Sequence, residues 1–176
     1  MPGDKLAGLA DEYGAEVRID WEHYLIHQGR HFFLSGFETE NAAGTIVFSV
    51  TTPNSHVRVH MTFEFEGTSR TEFYIYKAAT VTGGATATPI NSNQNSDLTS
   101  GCTIKKDPTI SVAGTLIHSE SRGLEGDNKI GATGGQNERE HEIELAPNVT
   151  YVFKIISQDN GNIISYMGTW YEIEEE

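Results

Sequence analysis

The segment His56-Val57-Arg58-Val59-His60-Met61-Thr62-Phe63-Glu64-Phe65-Glu66 alternates between apolar and polar residues with almost no break. Val57, Val59, Met61, Phe63 and Phe65 fall on one side of an extended chain, and His60, Thr62, Glu64 and Glu66 fall on the other. Side chains repeat with period two only in a β-strand, so the segment reads as a half-buried strand of an antiparallel sheet. Such a sheet carries no ready-made phosphate loop or catalytic elbow.

Similar segments recur along the chain. Extended runs are expected over Val17–Leu25, His31–Phe37, Gly44–Thr51, Thr71–Lys77, Thr115–Ser119, Glu138–Leu145, Thr150–Ser157 and Asn162–Ile173. In Gly44–Thr51, Ile46, Phe48 and Val50 share one face; in Glu138–Leu145, Glu140, Glu142 and Glu144 point outward. Gly67-Thr68-Ser69 and Asp159-Asn160-Gly161 read as hairpin turns. The expected fold is all-β: an antiparallel, jelly-roll-like β-sandwich of eight or nine strands. Residues 79–108 read as a long excursion anchored by Ile90, Leu98 and Ile104, and Gly123–Asn137 as a second, flexible loop. Residues 4–13 hold Leu6, Leu9 and Ala10 in a weak amphipathic pattern, so residues 1–16 are expected to form an N-terminal arm and 17–176 the sandwich domain.

Size and charge narrow the classes. A chain of 176 residues is long enough for one domain with a sizeable core. Eighteen glycines, with abundant Thr, Ser and Asn, suit a loop-rich β protein. A net charge of −13 disfavours general binding to nucleic acid, whose phosphates repel it. A basic amphipathic stretch, an apolar run of bilayer length and a signal peptide are all lacking, so neither membrane association nor export is expected. Cys102 is the only cysteine, which excludes an intramolecular disulfide and suits a reducing cytoplasm.

The candidate chemistry is thin. His23, His27 and His31 are spaced by four, as ligands on one helix face would be. Gly29 and the aromatic run after it argue against a helix there, and no acid or cysteine completes the set, so no metal is expected. His60 and Glu64 share a strand face and would suit acid–base work only if enclosed. Cys102 lacks an evident activating base, and Gly131–Gly135 lacks the Gly-Lys-Ser/Thr ending of a phosphate loop. Asp127-Asn128 and Asp159–Asn162 offer oxygen ligands without an EF-hand pattern, and turn formation accounts for both. No catalytic residue and no cofactor are expected. Trp21, Tyr24, Tyr74, Tyr76, Tyr166, Trp170 and Tyr171 exceed what one core readily takes, and surface aromatics anchor interfaces or stack on sugars. The interface candidates are Trp21, His27, His31, Tyr74 and Tyr76.

Several segments carry a resemblance together. Trp21-Glu22-His23-Tyr24-Leu25-Ile26-His27-Gln28-Gly29-Arg30-His31-Phe32 resembles the I-H-x-G-x-H-(F/Y) stretch of a family of tailed-phage virion proteins often encoded beside the major capsid protein. The likeness continues through Thr51–Asn54, His60–Glu66, Thr88–Ser96, Lys106–Thr109, Gly114–Ile117 and Gly168–Glu172, covering about residues 20–172. It implies a non-enzymatic capsid decoration, or cement, protein that binds the major capsid protein on the outer shell and stabilises the head. It also implies a homo-oligomer, most often a trimer; the acidity and the free cysteine agree with assembly in the host cytoplasm without nucleic acid or membrane partners. The alternative is a carbohydrate-binding β-sandwich module, or a head or tail fibre component, that mediates weak attachment to a host surface.

Overall fold

A computed structural model describes residues 21–54, 56–123 and 142–174. The proposed arm at residues 1–16, most of the Gly123–Asn137 loop and the Asp127-Asn128 pair lie outside the described residues. Thirteen strands and one short helix are described, more than the eight or nine strands expected, because the excursion at 79–108 adds short strands of its own.

The chain opens with helix α1 (Trp21–His27) and continues through β1 (His31–Glu40), β2 (Thr45–Thr51), β3 (Val57–Gly67) and β4 (Thr71–Lys77). The short strands β5 (Thr80–Thr82), β6 (Ala85–Ala87), β7 (Ile90–Asn91), β8 (Thr103–Lys106) and β9 (Thr109–Val112) follow. The described chain closes with β10 (Thr115–Arg122), β11 (Ile143–Leu145), β12 (Thr150–Ser157) and β13 (Asn162–Glu174). One sheet has the order β11-β3-β13-β1-β7, the second β10-β4-β12-β2-β8-β6, and β5 pairs with β9 as a separate ribbon. All pairings are antiparallel, and the two large sheets pack face to face as a sandwich.

The alternation at His56–Glu66 explains this packing. Val59, Met61 and Phe65 are buried between the sheets, so His60, Thr62, Glu64 and Glu66 take the outer face. Phe63 also points inward and stacks on Phe73 at 5.0 Å and on Phe153 at 5.3 Å. β3 and β4 are therefore not the hairpin pair expected at Gly67-Thr68-Ser69. They lie in opposite sheets and face each other across the core. The Asp159-Asn160-Gly161 turn forms, with Gly161 at φ 66°, but it too carries the chain from one sheet to the other. Successive long strands that change sheets give the jelly-roll-like connectivity. Alternation reports that one face is buried without saying which strand lies alongside.

β2 and β12 depart from alternation for a physical reason. Ile46, Phe48 and Val50 face the main core, while Val47 and Val152 face outward beneath the β5–β9 ribbon, where Val81 and Ile110 cover them. Both sides of these strands are dry, so they read as near-continuous apolar runs. The 79–108 excursion is thus structural: it supplies edge strands to both sheets and a lid over one of them. Ile104 is buried as an anchor, whereas Ile90 and Leu98 are exposed.

Candidate functional site

Residues 21–27 are a helix, not the last part of an extended Val17–Leu25 segment. Gly29, which argued against a helix, is what ends it. Its φ of 70° lets its N–H donate to Ile26 C=O while Arg30 N–H donates to Leu25 C=O. This pair of bonds is a Schellman stop, in which glycine takes the left-handed position. The spacing of four then acts as helical spacing: the His23 and His27 rings lie 4.7 Å apart, with their Nε2 atoms 2.9 Å apart. His31 lies beyond the stop on β1, so the three imidazoles do not share a face.

α1 stands beside a polar cleft on the outer face of the five-stranded sheet. Strand register places His31, Tyr171, His60 and Glu144 side by side across β1, β13, β3 and β11. Thr62 and Thr169 form the next rung, their hydroxyls 2.6 Å apart. The His60 ring lies nearly flat on the Tyr171 ring, 4.8 Å between centroids and 8° between planes. Glu142 closes one side: its Oε1 accepts the Tyr171 hydroxyl and lies 2.7 Å from His60 Nδ1. Glu22 of α1 closes the other side, 3.2 Å from His31 Nε2. With Trp170 in its floor, the cleft encloses about 300 Å³.

Burial sets the protonation of His31. The residue is 7 % exposed, and desolvation lowers its pKa below the usual imidazole value although the Glu22 carboxylate pulls the other way. A neutral ring suits its partners: Nε2–H donates to Glu22, and Nδ1, 2.6 Å from Ser92 Oγ, accepts the hydroxyl proton. Such a cleft offers carboxylate acceptors and imidazole groups to a polar ligand. Among the described residues, no group of three His, Cys, Asp or Glu side chains is placed to hold a metal ion.

The sequence candidates divide between two sides of the sandwich. Trp21 is 44 % exposed and stacks on Tyr24 at 5.5 Å, and His27 is exposed on the same helix. His31 is the candidate built into the cleft. Tyr74 and Tyr76 lie on the outer face of the other sheet, 6.3 Å apart with their planes 22° from parallel. His60 pairs with Glu142 rather than with Glu64, which lies four residues along the same strand. Glu142 is accordingly half-buried rather than a solvated surface acid. Trp170 is a core residue, its indole N–H donating to Glu172 Oε1 at 3.1 Å. Glu172 also accepts from Ser100 Oγ and Gly101 N–H, and beside it burial pushes the Cys102 thiol up, far from a nucleophilic thiolate.

The sequence alone points neither to Glu22 and Glu142 as cleft residues nor to Ser92 as the partner of His31. Glu142 carried a weak signal, as an acid on an outward strand face, but its meeting with His60 depends on a pairing across 82 residues. Compared with family models, with curated proteins and with solved structures, the chain matches none.

Proposed function

We propose that this chain is a non-enzymatic capsid decoration protein of a tailed phage. In this reading it binds the major capsid protein on the outer shell as a homo-oligomer, the trimer being the form the resemblance implies, and stabilises the head. The structural observation behind it is a set of exposed apolar side chains on β9 of the ribbon and on β10, the edge strand of the six-stranded sheet. Val112, Leu116 and Ile117 are exposed by 56, 49 and 42 %. Leu116 pairs directly with Tyr76, whose ring lies beside that of Tyr74. Adjoining exposed apolar groups of this kind mark protein contact surfaces. Strong acidity suits the outer side of a shell, away from packed DNA. Mixing the protein with expanded capsids that lack it is expected to give saturable binding and a higher capsid melting temperature. Absence of binding would end the proposal.

The near-parallel Tyr74 and Tyr76 rings favour a second reading, a glycan-binding face, since such rings stack on sugars. That reading expects hits on a glycan array that disappear in a Tyr74→Ala, Tyr76→Ala double variant.

A further inference from the structure

β1 is paired along its whole length on one side and almost nowhere on the other. β13 runs beside all of His31–Glu40 without a register break. On the far side β7 pairs only with Phe32 and Phe33. Among the described residues, Leu34–Glu40 form an open sheet edge. The direction of the backbone groups follows from its first bonds. Arg30 C=O accepts from Glu172 N–H on the β13 side, and His31 C=O accepts from Ser92 N–H on the β7 side. Alternation then turns the N–H and C=O groups of Ser35, Phe37 and Thr39 toward the open edge.

This edge lacks three of the common protections. A bulge, a proline or a lysine commonly keeps an exposed edge from pairing. β10, the edge of the other sheet, has such a bulge at Leu116/His118. Leu34-Ser35-Gly36-Phe37-Glu38-Thr39-Glu40 has none of the three, and the inward Glu38 is held by Lys106 Nζ at 2.8 Å. At the middle of the edge Phe37 is 74 % exposed, the most exposed large apolar side chain described. Its register partner is Ser165, with exposed Ile163 and Met167 on the diagonals.

We infer that this edge pairs with the same edge of a second copy, antiparallel and centred on Phe37, joining two five-stranded sheets into one. Self-pairing is favoured by the sequence of the edge itself. Centred on Phe37, the register opposes Phe37 to its counterpart and Ser35 to Thr39, so all three residues with free groups bond at once. The same register sets Glu38 against Gly36 and Glu40 against Leu34, so no two carboxylates face each other. Centring on Gly36 or Glu38 would bond fewer of these groups, and centring on Glu38 would oppose the two Glu38 side chains. The charge pattern and the backbone therefore select one register. A two-fold contact of this kind closes on a pair and is separate from any three-fold contact.

Cysteine scanning tests it cleanly, because the one natural cysteine, Cys102, is buried. Residues opposed in this register have Cα atoms about 5.5 Å apart, within disulfide reach. Under mild oxidation the Phe37→Cys chain is expected to cross-link to itself. Ser35→Cys alone is not, but Ser35→Cys mixed with Thr39→Cys is. In sedimentation, Phe37→Asp is expected to raise the self-association constant for dissociation by about thirtyfold, with an unchanged melting temperature as proof of folding. A wild-type chain that sediments as one copy at every concentration would overturn the inference. So would an assembly whose Phe37→Cys form does not cross-link, or self-linking of Ser35→Cys as fast as Phe37→Cys.

Discussion

Asn162 is fully buried, and its side-chain amide ties the two sheets together at the point where the chain crosses between them. Its Oδ1 accepts from Ser69 N–H at 3.0 Å, and its Nδ2 donates to Thr71 Oγ1 at 2.9 Å and to Ser157 Oγ at 3.2 Å. In the sequence it opens the expected strand Asn162–Ile173 just after the Asp159-Asn160-Gly161 turn, which gives its place but not its partners, 91 and 93 residues away. Asn162→Ala would strand several of these buried groups, and is expected to cost about 2–4 kcal/mol. A lower urea midpoint at unchanged slope is the measurement. His31 acts through pH. Its folded pKa lies below the 6.5 of the free side chain, so the unfolded chain takes up the proton first as pH falls. The contribution of a neutral His31 is complete above about pH 6.5 and is lost as pH falls toward its folded value. The melting temperature is expected to decline across that window in the wild type and less steeply in His31→Gln.

At the scale of elements, the long strands were legible and their partners were not. Thr71–Lys77 forms with the bounds the alternation gives, because one buried face imposes period two whatever lies beside the strand, and Thr150–Ser157 forms where its apolar run lies between turn residues, with apolar side chains buried on both faces. The sheet changes at Gly67 and at Gly161 left no mark, since a turn residue reports a reversal of direction and not the destination. α1 is hard to read in the sequence because a glycine that stops a helix at its end looks the same as one that breaks a segment within it. The distinction is measurable. A Cβ at Gly29 would lie 2.2 Å from Ser96 Oγ on a backbone of φ 70°. Gly29→Ala is expected to cost about 1–3 kcal/mol from strain and displacement together, read from the unfolding midpoint. The cleft was only partly visible for a related reason. His31, His60 and Tyr171 stand in line through strand register, while Glu22 and Glu142 arrive from outside the strands that form its floor.

For the molecule as a whole, the two outer faces are distinct surfaces. The β1 edge carries Phe37, and the β9–β10 side carries Val112, Leu116 and Ile117. If one serves self-pairing and the other the shell, they separate by substitution. Leu116→Asp is expected to abolish capsid binding and leave the Phe37→Cys cross-link intact, whereas Phe37→Asp is expected to weaken self-association in sedimentation and leave capsid binding intact. Capsid binding, cross-linking and sedimentation run side by side check this. The two tryptophans stand in equally different surroundings. Trp170 is locked in the core against a buried carboxylate, whereas Trp21 opens α1 toward solvent beside Tyr24. The chain thus carries two native fluorophores with separate duties: emission from one follows the integrity of the sandwich, and quencher access to the other follows whatever comes to rest on the helix.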